Sequence, residues 1–119
     1  MAEIAGKCWG DTRVIENRNG VAVHLINVHH GGYCSWHKHA SKYNRFVCLH
    51  GVMEIQVKKK DYNLIDVTRL EAGDSMTVPP GELHSFKALT GAQALEVYWV
   101  ELTEDIERIS CGGIDHGED

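Results

Sequence analysis

Apolar side chains recur at every second position along most of this chain. In Met53-Glu54-Ile55-Gln56-Val57 the alternation puts Met53, Ile55 and Val57 on one face of a pleated strand and the polar groups on the other. The same period predicts strands over 21–28, 33–39, 43–49, 62–70, 75–78, 83–89 and 93–102. Turn formers stand between them: Asn19-Gly20, Gly31-Gly32, His50-Gly51, Lys60-Asp61, Ala72-Gly73-Asp74, Pro79-Pro80-Gly81 and Thr90-Gly91. Many short strands at even spacing, with Gly and Pro in the gaps, predict an all-β fold whose closure removes exposed edges, and a single jelly-roll β-barrel fits best. Only 103–109 has room for a turn of helix. The tail 111–119, rich in Gly, Asp and Glu, is expected to be mobile.

Length and charge narrow the class. A chain of 119 residues is one domain's worth, 1–119, with the barrel expected over about 9–103. Area scaling buries about two-thirds of the unfolded surface, enough for one core without staples. The net charge is −5, from 12 Lys+Arg against 17 Asp+Glu, and no cationic run exceeds Lys58-Lys59-Lys60, so no nucleic-acid partner is expected. The opening Met1-Ala2-Glu3-Ile4-Ala5-Gly6-Lys7 lacks a basic and apolar export pattern, and no stretch approaches the ~18 apolar residues of a membrane span. A cytoplasmic protein is expected. Cys8, Cys34, Cys48 and Cys111 form no C-x-x-C pair and read as buried or free thiols.

The candidate chemistry lies in the histidines, of which there are 8. His37 and His39 are one residue apart, so on an extended segment both rings project from one face, close enough to share a cation. Around them runs Gly31, five residues, His37-Lys38-His39, four residues, Asn44, six residues, Gly51. Later come Gly73, five residues, Pro79-Pro80-Gly81, two residues, His84. These spacings resemble the two motifs of the cupin superfamily, with Asn44 at the place of the first motif's Glu and Ala88 at that of the second motif's Asn. The resemblance implies paired motif strands in a small barrel, with His37, His39 and His84 supplying three nitrogens to a divalent transition metal and Asn44 as a further ligand position. Neutral imidazoles suit Zn, Fe, Ni, Cu and, less strongly, Mn, and three ligands leave positions open for water or substrate. An amide at position 44 in place of a carboxylate lowers affinity for hard metals, though its oxygen still coordinates.

Beyond the motifs, Trp9-Gly10 at the start and Leu95-Glu96-Val97, Glu101, Glu104-Asp105-Ile106 and Arg108 at the end make the chain similar to the small cupin domain that ends the type II mannose-6-phosphate isomerases. That similarity implies a small-molecule ligand of the sugar or sugar-phosphate kind, and a metal-dependent isomerisation in which a base moves a proton between neighbouring carbons. The chain departs from that family at Ala40, where the family has a basic residue, and in a two-residue longer spacing to Asn44. It holds no guanylyltransferase half. Two other functions stay open: a three-His non-haem iron dioxygenase, and a noncatalytic sugar-binding or regulatory module.

Other residues carry a functional and a plainer reading. Lys38, Lys42, Arg45 and Lys87 flank the motifs as phosphate contacts or as solvated cations. Glu82 reads as a base or a solvated turn carboxylate, Cys34 and Cys48 as reactive thiols or core fillers, and His24, His29 and His30 as extra ligands or capped rings. Trp36, Phe86, Tyr98 and Trp99 line a pocket or a core. In Leu95-Glu96-Val97-Tyr98-Trp99-Val100 both alternating faces are bulky, so the outer face predicts a homodimer, unless the segment around Val14-Ile15 covers it.

Overall fold

The structure, a computed structural model, describes residues 4–59 and 63–100. The expected helix at 103–109, the tail 111–119 with Cys111, the Lys60-Asp61 turn and the outer ends of the 62–70 and 93–102 strands lie outside the described residues.

The described chain is all-β, with strands β1 (Ile4–Lys7), β2 (Gly10–Arg18), β3 (Val21–Val28), β4 (Tyr43–His50), β5 (Met53–Lys58), β6 (Ile65–Leu70), β7 (Ser75–Val78), β8 (Leu83–Ala88) and β9 (Ala92–Trp99). They form two antiparallel sheets, a six-stranded one in the order β1-β2-β3-β9-β4-β7 and a three-stranded one in the order β6-β5-β8. This is a jelly-roll barrel. Its core takes alternate residues from both sheets, with Ile26, Phe46, Cys48, Met53, Ile55 and Ala94 fully buried.

Two glycines fix how the strands enter the site. Gly51 has φ +77, and a Cβ there would stand 2.1 Å from the Gly91 carbonyl oxygen, so only glycine lets β4 turn into β5. Gly81, at φ 82, turns the chain after Pro79-Pro80, and its N–H is tied to the His39 carbonyl at 2.7 Å. That bond pins the second motif against the first immediately before His84.

Three readings change. β1 and β2 are strands that the two-residue period misses, because most of β2 faces solvent and carries polar side chains on both faces. The Asn19-Gly20 turn, with φ 52 and 83, closes β2 onto β3 as a two-residue hairpin loop. Since β2 lies beside β3 in the same sheet, Val14 and Ile15 do not fold over β9; they are 38% and 52% exposed. The expected strand at 33–39 is not a continuous strand. It touches β8 at two isolated bridges, Tyr33 with Lys87 and His37 with His84. Four residues advance on one side and three on the other, so one extra residue interrupts the ladder as a bulge does, a feature common beside active sites.

Candidate metal centre

His37 and His84 meet through their backbones before their side chains meet. The His37 N–H donates to the His84 carbonyl at 3.0 Å and the His84 N–H returns to the His37 carbonyl at 2.9 Å. This bridge holds His37 beside β8, and the alternation from His37 to His39 brings the second ring to the same face. The ring centroids are 4.4 Å apart for His37 and His84, 5.3 Å for His37 and His39, and 5.5 Å for His39 and His84. One ring nitrogen from each lies within 4.8 Å of the others. Among the described residues these three form the one such cluster of His, Cys, Asp or Glu.

Backbone carbonyls orient two of the rings. His37 Nδ1 donates to the Ser35 carbonyl at 2.8 Å and His84 Nδ1 to the Glu82 carbonyl at 3.0 Å. In a neutral ring this leaves Nε2 unprotonated, the form in which imidazole binds a metal. Burial holds His84 down to about 4, against the usual 6.5, with the neighbouring His37 and His39 adding to the effect and the bond to Glu82 opposing it. Burial also lowers His39, followed by the charges of His37 and Lys42. At neutral pH both rings are therefore in the metal-binding form.

Two buried atoms at the site have no hydrogen-bond partner: His39 Nε2 and Asn44 Oδ1. Leaving such groups unpaired costs about 1–3 kcal/mol each, which a divalent ion and its water would relieve. The donor set fits a transition metal.

Asn44, fully buried on β4, is brought to the same place. Its Nδ2 lies 3.4 Å from His84 Nε2 and donates to Glu96 Oε2 at 3.3 Å. A carboxylate only accepts, so Glu96 fixes which end of the amide faces it. With that orientation, an N–H of Asn44 faces the lone pair of His84.

Glu96 is a buried residue of the site that sequence reasoning did not single out. It is 6% exposed on β9, with Tyr98 donating its hydroxyl to the same Oε2. Burial, and then the Glu96 charge, raises the Tyr98 phenol far above its usual value, so it stays a proton donor. Tyr98 also lies edge-on to His39, with ring centroids 5.2 Å apart. The signal was parity: Glu96 shares the inward face with Ala92 and Ala94, a place for an apolar side chain in a strand otherwise built for the core.

A cavity of about 630 Å³ opens beside the triad, lined by Trp9, Cys34, His37, Phe86, Glu96 and Tyr98 among others. Trp9 packs edge-on against Phe86, centroids 4.9 Å apart, giving it an aromatic wall. Lys7 and His24 stand on its rim and wall. Of the flanking cations, Lys42 acts on His39, whereas Arg45 is spent on the Ser75 and Thr77 hydroxyls and Lys38 and Lys87 are exposed. Glu82 is paired with Lys59 at 3.4 Å. Cys34 is in the cavity wall, and Cys48 is buried away from it, bonded to the His50 and Gly51 carbonyls. His29 and His30 are exposed and line a different hollow, with His50. Trp99 stacks on Tyr43 rather than lining the cavity, and Trp36 is 44% exposed.

Comparison with known proteins agrees with this fold. Residues 24–101 match the cupin domain family. Among solved structures, KdgF from Halomonas sp. superposes with a TM-score of 0.72 at 12% identity, over 87% of this chain and 91% of that one. An RmlC-like cupin from Shewanella frigidimarina gives 0.69 at 21%, over 88% and 89%. Oxalate decarboxylase from Bacillus subtilis gives 0.75 at 18%, over 83% of this chain and 27% of its own length. No curated protein sequence matches significantly.

Proposed function

The chain belongs to the cupin domain family, and on that premise we propose that it holds a divalent transition metal on His37, His39 and His84 and isomerises a small, oxygen-rich metabolite of the sugar or sugar-phosphate kind. The observation that carries this reading is the convergence of three ring nitrogens within 4.8 Å, two of them oriented by carbonyls and the third, His39 Nε2, buried without a partner.

Bound there, Zn, Mn, Fe or Ni would act as a Lewis acid on a carbonyl oxygen. The protein's own groups do the rest. Trp9 and Phe86 wall the cavity against water and offer apolar faces to a sugar ring. Lys7 on its rim and Lys42 near His39 favour an anionic substituent, such as a phosphate, at the mouth. Asn44 keeps the Glu96 carboxylate aligned beside the triad.

The dioxygenase reading has one observation in its favour, the absence of a carboxylate among the three clustered ligands. Metal content separates the readings. Zinc or manganese with conversion of mannose 6-phosphate to fructose 6-phosphate supports the isomerase. Iron with substrate-dependent oxygen uptake supports the dioxygenase, and retained sugar binding with no turnover leaves a binding module.

Two further readings go with this proposal. A homodimer is supported by Leu95, Val97 and Trp99, which lie opposite in parity to the inward Ala94 and Glu96, on a face that Val14 and Ile15 do not cover. A cytoplasmic location is supported by Cys8, Cys34 and Cys48, all free thiols. Among the described residues no helix is long and apolar enough to cross a membrane.

A further inference from the structure

The family's first motif has lost its carboxylate here, yet a carboxylate is buried at the site all the same. Glu96 reaches it from β9, the strand paired with β4, where Asn44 faces Tyr98 and Phe46 faces Glu96 across the ladder. It is not one of the clustered ligands. One amide nitrogen, 3.3 Å from the carboxylate and 3.4 Å from His84 Nε2, separates it from the triad. That is too far to ligate and near enough to take a proton from a molecule lying on the open side of the triad, directly or through one water. Both hydrogen bonds to Glu96, from Asn44 and from Tyr98, fall on Oε2, so Oε1 is the oxygen left for a ligand in the cavity that Glu96 lines.

We propose that Glu96 is the general base of this site and that its substrates are 2-hydroxy carbonyl compounds, with Tyr98 and Asn44 as the residues that position the carboxylate. This rests on the metal-dependent isomerase reading above. In the step assigned to it, Glu96 Oε1 takes the proton from the carbon next to the carbonyl. The C–H electron pair becomes the carbon–carbon double bond, and the carbonyl π pair moves to oxygen, giving an enediolate. The hydroxyl proton passes from the second oxygen to the first, and the neutral Glu96 returns its proton to the former carbonyl carbon as the second oxygen becomes the carbonyl. Proton and electrons balance without an oxidant or reductant. Tyr98 keeps its own proton throughout and holds the carboxylate in place.

The test uses the full chain loaded with Co²⁺, whose visible absorption reports the ligand set. The probes are fructose 6-phosphate, mannose 6-phosphate and dihydroxyacetone phosphate in D₂O, read by NMR for deuterium uptake next to the carbonyl. Expected for Glu96→Gln is a Co²⁺ spectrum and affinity within about threefold of wild type and exchange at least about 100-fold slower. Glu96→Asp, which keeps the charge on a shorter arm, is expected in between, with the same Co²⁺ spectrum. Exchange in Glu96→Gln within threefold of wild type, or a wild type that binds Co²⁺ and exchanges none of the three probes, overturns the base assignment and leaves the metal site standing. A Co²⁺ affinity more than tenfold weaker in both variants overturns it too, because Glu96 is then a ligand. A wild type that binds no Co²⁺ at all removes the metal reading itself, and this inference with it.

Discussion

Asn44 donates its side-chain amide to Glu96, 3.3 Å away on the adjacent strand. Two carboxylates at that separation do not both stay ionised without a cation between them. An amide at position 44 and an acid at position 96 are therefore complementary, with the acid on β9 and the amide on β4.

This relationship sharpens what Asn44→Glu should do. Without metal, the new carboxylate faces Glu96 and lowers stability by about 1–3 kcal/mol. With Mn²⁺, the added anionic oxygen raises affinity about tenfold or more. Titration calorimetry and melting with and without Mn²⁺ read both effects. Unchanged or weaker Mn²⁺ affinity would show that residue 44 is not a ligand position.

Removing metal exposes a pH dependence with a definite sign. His84 has its proton affinity lowered from 6.5 to about 4 in the fold, so the unfolded chain binds more protons between those values. Stability from this residue is fully present above about pH 6.5 and is lost as pH falls toward 4, by up to about 3 kcal/mol. His39, lowered in the same direction, adds to the trend. The metal-free melting temperature should drop from pH 7 to pH 5, and less so in His84→Gln. Equal drops in the two proteins would contradict the assignment.

Phe46 ties the core to the site. It is fully buried, with its ring centroid 6.1 Å from that of His84 and 6.2 Å from that of Phe86. Phe46→Ala should cost about 3–5 kcal/mol and weaken metal binding by loosening His84. Urea unfolding measures the first effect, and a loss below about 1 kcal/mol would show that the site collapses to fill the space.

The outer face of β9 should seat a second copy. Light scattering at tens of micromolar is expected to give about twice the 13.3 kDa chain mass, and Val97→Glu to return it to one chain. A wild-type mass near 13.3 kDa defeats the dimer.

What the sequence carried and what it hid divide along physical lines. Strands with one buried face, such as β5, show their period plainly, and His37, His39 and His84 are marked by glycine and proline spacing that fixes how the chain turns between them. β2 was hidden because a strand held by backbone pairing at a solvent-facing part of the sheet needs no alternation. The 33–39 segment alternates like a strand but runs as two bridges, since one extra residue breaks its ladder with β8. In the sequence Glu96 stands out only as part of a terminal motif, because its contacts with Asn44 and Tyr98 depend on the register of β4 with β9.

The central claim is that three imidazoles hold one divalent ion, and elemental analysis of wild type beside His39→Ala tests it most directly. The account predicts about one equivalent of transition metal per wild-type chain after equilibration with Zn²⁺ and desalting, and less than about a tenth in the variant. Equal metal in the two proteins, or none in the wild type, would contradict it.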